Sequence, residues 1–322
     1  MGRIDKLLVS LLLLLPLIWT SSVQASSGDR LKLYQNCVNK CAGHECDDPL
    51  PLILQLTGWD CVSNCRYLCS HKVTAVTQRK HNHIHQFHGK WPFIRMLGVQ
   101  EPASALFSVL NGIAHLHGYR ALMRLKGIAN APAKKQLRNI YALNAIVCMA
   151  GWVFSTIFHT RDLAITEKLD YFGAVGGLLF NMYIALNKLS SLATPRNRAP
   201  RVLLRAGCLL FYAAHVTYLS LWPFDYGYNM KAGITVAMVA NLAWLTWCWR
   251  KSRTRPYAWK MVAFVVLVVC AMALEVLDFP PYYWVFDAHS LWHAATVPLT
   301  YLLYSFFLDD VRFDEGRIDK KE

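Results

Sequence analysis

Seven apolar runs, each about 20 residues long and divided by short polar segments, leave this chain few ways to fold. They lie near 101–119, 140–160, 168–188, 201–222, 230–249, 258–277 and 288–308. A helix of about 20 residues crosses the roughly 30 Å hydrocarbon core of a bilayer, so each run reads as a membrane span. Breakers fall where such spans end. Pro92, Pro102, Pro132, Pro195, Pro200, Pro256, Pro280 and Pro281 sit near run ends or in loops, and Pro223 closes the fourth run. The expected fold is an all-α membrane protein, a seven-transmembrane-helix bundle over 97–308.

The net charge of +14 would raise nucleic acid as a partner in a soluble chain. Here the Lys and Arg residues are confined to alternate loops, which argues against nucleic acid. The first loop holds Arg120, Arg124, Lys126, Lys134, Lys135 and Arg138. The third holds Lys188, Arg196, Arg198, Arg201 and Arg205, and the fifth Arg250, Lys251, Arg253, Arg255 and Lys260. The even loops carry only Arg161, Lys168 and Lys231. Basic loops stay cytosolic, so the odd loops are expected there and the even loops in the lumen.

The first residues give the same orientation independently. Arg3 and Lys6 precede an apolar core, Leu7 to Trp19, and Val23-Gln24-Ala25 is a small-residue cleavage site. A signal peptide over 1–25 would deliver the following segment, 26–96, to the lumen. That segment holds Cys37, Cys41, Cys46, Cys61, Cys65 and Cys69, an even set in an oxidising compartment. About 15 pairings are open. The spacing suggests two short helices stapled as a hairpin by nested bridges Cys37–Cys69, Cys41–Cys65 and Cys46–Cys61. Zinc binding is the rival use of these thiols. Cys148, Cys208, Cys248 and Cys270 are scattered through apolar runs and read as free core thiols. The remaining segment, 309–322, would be a cytosolic tail.

Within this topology the polar residues of the spans become informative. Ser155 and His159 stand four apart, as do His289 and His293, and Asp170 opens the third span. Residues four apart on a helix share a face. All five would reach the lumenal face at similar depth. An ionisable group in a membrane is costly and usually turns to the protein interior to do work. Three imidazoles, His159, His289 and His293, suffice to hold a catalytic zinc with a position left for water. Asp170 then suits a proton carrier and Ser155 a hydrogen-bond donor to water or an oxyanion. The plain alternative is a set of polar groups bonded to neighbouring helices. A metal-free Ser155–His159–Asp170 triad is a further possibility, but it leaves His289 and His293 unused and no G-x-S-x-G elbow exists.

These positions resemble those of a known superfamily. A Ser-x-x-x-His on the second helix, an Asp opening the third and a His-x-x-x-His on the seventh are similar to the CREST membrane hydrolases, which include alkaline ceramidases and adiponectin receptors. The leader, the six-cysteine segment and Gln86-Phe87-His88-Gly89-Lys90-Trp91-Pro92-Phe93 resemble the Per-one-like (post-GPI-attachment-to-proteins factor three) family. The resemblance implies a zinc-dependent carboxylic ester hydrolase of the phospholipase A2 type. It would remove the sn-2 acyl chain from the phosphatidylinositol of GPI-anchored proteins. The implied setting is the Golgi membrane, with the endoplasmic reticulum as a second location. It also carries the zinc to His159, His289 and His293. A ceramidase-like amidase or a seven-helix receptor with structural zinc would use the same residues.

Other candidates read more plainly. His81, His83, His85 and His88 suit an interfacial segment better than a metal site. His115 and His117 lie towards the far end of the first helix and suit interhelical hydrogen bonds. His215 suits packing, and Glu275 and Asp278 could support the site from behind. Gly173, Gly176 and Gly177 read as close-packing positions. Tyr282, Tyr283, Trp284 and Phe286 suit either lipid entry or interface anchoring. Lys320 and Lys321 sit one place too near the end for a retrieval signal, and no N-glycosylation acceptor is present.

Overall fold

In the computed structural model, which describes residues 26–44, 46, 49–128, 130–190 and 198–313, two bodies of helix form one molecule. The expected leader over 1–25, the tail lysines and Arg196 of the third loop lie outside these residues. The smaller body contains α1 (Lys32–His44), α2 (Leu52–Leu56) and α3 (Cys61–His81). Cysteines four apart place successive sulfurs on one helix face. The bridges are Cys37–Cys69, Cys41–Cys65 and Cys46–Cys61, the nested set expected of a hairpin. These six thiols are therefore spent in disulfides rather than on a metal. Asp60 starts α3 with a capping box to Ser63, and Asn82 ends it in the left-handed region. Tyr34, Val73 and Phe87 pack with the cystines as a small core.

The larger body holds α4 (Pro102–Met123), α5 (Pro132–Thr160), α6 (Ala164–Leu189), α7 (Arg198–Leu221), α8 (Tyr226–Lys251), α9 (Ala258–Leu277) and α10 (Ala288–Arg312). Six of these helices close a ring in the order α4, α5, α6, α8, α9, α10 and back to α4. Helix α7 packs chiefly on α6, outside the ring. Among the described residues, six helices, α5 to α10, are long and apolar enough to cross a membrane. The chain is thus a multi-pass membrane protein of the expected all-helical class, but the count of seven spans is not exact. Helix α4 falls short because Ser104, Ser108, Asn111 and His115 interrupt its apolar surface, and all four are buried in the bundle.

The helices also outrun their apolar runs. Helix α5 starts at Pro132, ahead of the run at 140–160, because Lys134, Lys135 and Arg138 are good helix formers that hydropathy discounts. Helix α10 continues to Arg312, past the expected start of the tail. Its last turn is held by buried Asp310, which accepts from Tyr141 Oη at 2.5 Å, Lys188 Nζ at 2.6 Å and Tyr257 Oη at 2.6 Å. That end of the bundle carries the main apolar core, including Leu122, Tyr141, Trp244, Phe306 and Phe307.

Close approach is built with glycine, as the third helix suggested. A Cβ on Gly173 would stand 2.9 Å from Gly151 Cα, so α5 and α6 nearly touch there. Gly118 of α4 faces Tyr304 of α10, where a Cβ would come within 2.2 Å of the ring. One turn away, His115 and Tyr304 hydrogen-bond at 2.8 Å, and His117 meets Tyr301 at 3.0 Å. Both histidines therefore serve interhelical bonds. Gly118→Ala should destabilise the fold by about 1–3 kcal/mol through overpacking. A thermal melt in detergent reads this, and a wild-type Tm would contradict the close contact.

Candidate functional site

The end of the bundle opposite the aromatic core is polar, and three local signals position its side chains. Helix α5 ends at Thr160 and α6 begins at Ala164, so a short turn returns the chain and sets Asp170 beside Ser155 and His159. Helix α10 begins where Asp287 accepts from Ser290 N at 2.8 Å and Ser290 Oγ returns the bond to Asp287 N at 3.0 Å. This capping box sets the phase in which His289 and His293 face inward. Ring closure by α4 then packs α10 beside α5.

His159, His289 and His293 come together, each offering a ring nitrogen within 4.8 Å of the others. His159 and His293 are almost wholly buried. Their outer nitrogens are all engaged. His159 Nδ1 donates to Glu101 Oε2 at 2.8 Å, and His289 Nδ1 donates to Glu275 Oε2 at 2.7 Å. Ser108 spends its one proton on the Ser104 carbonyl at 2.7 Å, so it accepts from His293 Nδ1 at 3.1 Å. With three Nδ1 protons assigned by their acceptors, the Nε2 lone pairs turn inward. His159 Nε2 has no partner, and the Nε2 atoms of His289 and His293 oppose each other at 2.9 Å. Buried nitrogens in that state are unfavourable unless a cation satisfies them, and outer carboxylates on metal-binding imidazoles are the usual support. The donor set therefore fits a metal ion. Cys46, Cys61 and Cys65 also cluster, but they are bridged.

Ser155 is buried, with its Oγ 3.0 Å from Ser108 Oγ, and Asp170 lies beside it as a second acceptor. Among the described residues no histidine nitrogen bonds Ser155, and the carboxylate beside its hydroxyl is that of Asp170. His215 packs among Phe172, Phe211 and Tyr228, away from the cluster. His85 meets Ser27 and His88 meets Tyr34, which ties that histidine-rich stretch to the hairpin. Asp278 accepts from Gln86 Nε2 at 3.0 Å and Trp91 Nε1 at 2.9 Å, so it braces the segment that follows the hairpin rather than the cluster.

Three residues that the sequence reading passed over matter here. Glu101 stands just before α4 and is buried, its carboxylate bonded to Lys90 on one side and His159 on the other rather than to the helix end. Lys90 also pairs with Asp162 at 3.3 Å and lies over the Phe158 ring. Burial works against the Lys90 charge, but Glu101 and Asp162 outweigh it and hold the ammonium above the ordinary lysine range. Ser108 supports His293, and Asn111 donates to the His293 carbonyl at 2.9 Å. A lone acid at the mouth of an apolar run was the available signal for Glu101. Ser108 and Asn111 carried none, because serine and asparagine inside a span are usually local helix bonds.

The fold and this cluster define a class: a multi-pass helical membrane protein whose polar end gathers three histidines able to hold a metal. Comparison with known proteins narrows it. Residues 51–311 match the Per1-like family, and the chain belongs to it. It is 42% identical over 297 residues to a Xenopus laevis protein named GPI-specific phospholipase A2-like PGAP3, covering 89% of this chain and 91% of that one. The Homo sapiens protein of the same name is 39% identical over 293 residues, 88% and 89% of the two chains. The Schizosaccharomyces pombe Protein PER1 homolog is 38% identical over 302 residues, 91% and 89%. No solved structure matches the chain.

The Lys90–Glu101 pair yields a test of how the site is held. Lys90→Met should cost about 3 kcal/mol by leaving a buried carboxylate unpaired. Adding Glu101→Gln should recover part of that loss, with a coupling of about 0.5–3 kcal/mol. A double-mutant cycle on unfolding in detergent measures it, and strict additivity would show that the pair is not coupled.

Proposed function

We propose that this protein is a zinc-dependent carboxylic ester hydrolase that remodels GPI anchors, removing the sn-2 acyl chain of their phosphatidylinositol. The observation that carries the reading is the convergence of three inward Nε2 atoms beside Ser155 and Asp170 in a chain about 40% identical to proteins named GPI-specific phospholipase A2-like. His159, His289 and His293 would hold the zinc. When bound, it supplies a Lewis acid that polarises an ester carbonyl and acidifies water.

The other residues divide the remaining work. Glu101, Glu275 and Ser108 keep the Nδ1 protons and fix the three imidazoles in the ligating tautomer. Asp170 takes a proton from the attacking water and returns it to the leaving glycerol oxygen. Ser155 donates a hydrogen bond to the oxyanion as the carbonyl becomes tetrahedral, its proton already shared among nearby acceptors. The products are a free fatty acid and a lyso-form of the anchor lipid.

The proposed topology puts the histidine end in the lumen of the Golgi, with 26–96 as a lumenal domain and the C-terminus cytosolic. Disulfides form in oxidising compartments, and the bridged hairpin is continuous with the segment that docks on the histidine end through Lys90, Gln86 and Trp91. That support is separate from the charge asymmetry of the loops. GPI-anchored proteins are the proposed substrates.

Purified wild type should contain one zinc per chain, and His289→Ala or His293→Ala should lose it together with GPI remodelling. Elemental analysis alongside the acyl-chain profile of GPI-anchored proteins reads both. A zinc-free wild type with normal remodelling would overturn the metal reading, whereas zinc with an unchanged GPI profile would point to a different substrate or a receptor. Asp170→Asn should keep the zinc and lower turnover by about 100-fold or more, the usual scale for a positioned proton carrier. Loss of zinc in that variant would assign Asp170 a structural role instead.

A further inference from the structure

A second recess, of about 410 Å³, opens on the docked hairpin rather than in the bundle. His71, Thr74, Ala75 and Gln78 line it from one face of α3, with Arg79 at its edge and Trp284 closing it from the loop before α10. Trp284 is held in place, with its carbonyl accepting from Ile94 N at 2.8 Å. The wall thus joins two elements far apart in the chain.

The lining selects a ligand class. Ala75 apart, α3 contributes only polar side chains, which is a poor surface for an acyl chain. Arg79 is exposed and makes no ion pair among the described residues, so its guanidinium is free for a phosphate. Thr74 is buried in the wall, and its Oγ1 has no hydrogen-bond partner among the described residues. His71 donates Nε2–H to the Phe93 carbonyl at 2.9 Å, which leaves Nδ1 as an acceptor. Burial, with Arg95 adding to it, holds this imidazole below its ordinary range and keeps it neutral. Donors, acceptors and a cation around an indole suit a sugar, whose C–H face stacks on the ring while its hydroxyls are bonded.

The recess is also near the histidine cluster. Trp284 precedes His289 by five residues, so the two lie no more than about 17 Å apart along the chain. A short oligosaccharide bridges such a span.

Resting on the function proposed above, we propose that this recess binds the phosphorylated oligosaccharide head of the glycolipid while its acyl ester lies at the histidine cluster. Hydrolysis and head recognition are then separate surfaces joined by the loop from Trp284 to His289. A lipid with no glycan would gain nothing from the recess.

The test uses the full chain in detergent and a lipid-free phosphoinositol glycan prepared from GPI. Wild type should bind the glycan by calorimetry, and Arg79→Ala with Gln78→Ala should weaken that binding at least tenfold. Both residues are exposed, and an unchanged Tm establishes that the variant is folded. Gln78→Glu, which sets a negative charge beside Arg79, should weaken it as well. In turnover, the same variants should raise KM for the GPI lipid tenfold with kcat unchanged, and leave cleavage of plain phosphatidylinositol as it was. No glycan binding by wild type, unchanged binding by the variants, or full competition by inorganic phosphate alone would each overturn the assignment. Glycan binding that is lost in the variants, in a wild type that cleaves no GPI, would keep the recess and reject the hydrolase.

Discussion

The rest of the structure hangs on one buried carboxylate. Glu101 precedes the first helix of the bundle, and its two oxygens reach Lys90 from the segment after the hairpin and His159 from α5. Taking such a charge out of water is expensive, and the cost is met only by good geometry on both sides. Each partner is therefore held by the need to keep the other paired. Through this one side chain the hairpin, the ring of helices and the inward face of an imidazole share a single arrangement. Asp162, on the turn between α5 and α6, grips Lys90 as well and draws that turn into the same network.

The bundle divides stability and chemistry between its two ends. Aromatic packing and the Asp310 hydrogen bonds lock one end, where Trp244, Phe306 and Phe307 are almost fully buried. The other end carries the histidines, whose Nε2 atoms converge in the polar interior. A site of that kind persists only when the surrounding structure holds it, and the ring of six helices does so. Helix α7 stands outside the ring, and its apolar span is the least buried of the six. Near contact at Gly173–Gly151 and Gly118–Tyr304 removes the slack between helices that would let the cluster spread.

The docked hairpin gives this arrangement a direction. Three disulfides keep a small domain rigid where its own core is slight. Its outgoing segment then meets the bundle at Asp278, Glu101, Trp284 and Thr160.

Local chemistry was enough to read the helices and the nested cystines. Hydropathy, helical spacing and cysteine period are each carried by neighbours in the chain. The pairs Ser155/His159 and His289/His293 were legible for the same reason, since four residues define a helix face wherever the helix sits. The helix ends were less so: Pro132 and Arg312 lie beyond the apolar windows because hydrogen bonding continues where hydropathy stops. What only the tertiary structure decided was which residues stand behind the imidazoles. Glu275 was legible as support at the end of α9, but nothing near Ser108 in α4 marks it as the partner of His293, and Glu101 shows only as an acid before α4, with nothing to name His159. A hydrogen bond depends on a distance of about 3 Å across a bundle interface, and that distance exists only once the ring has closed.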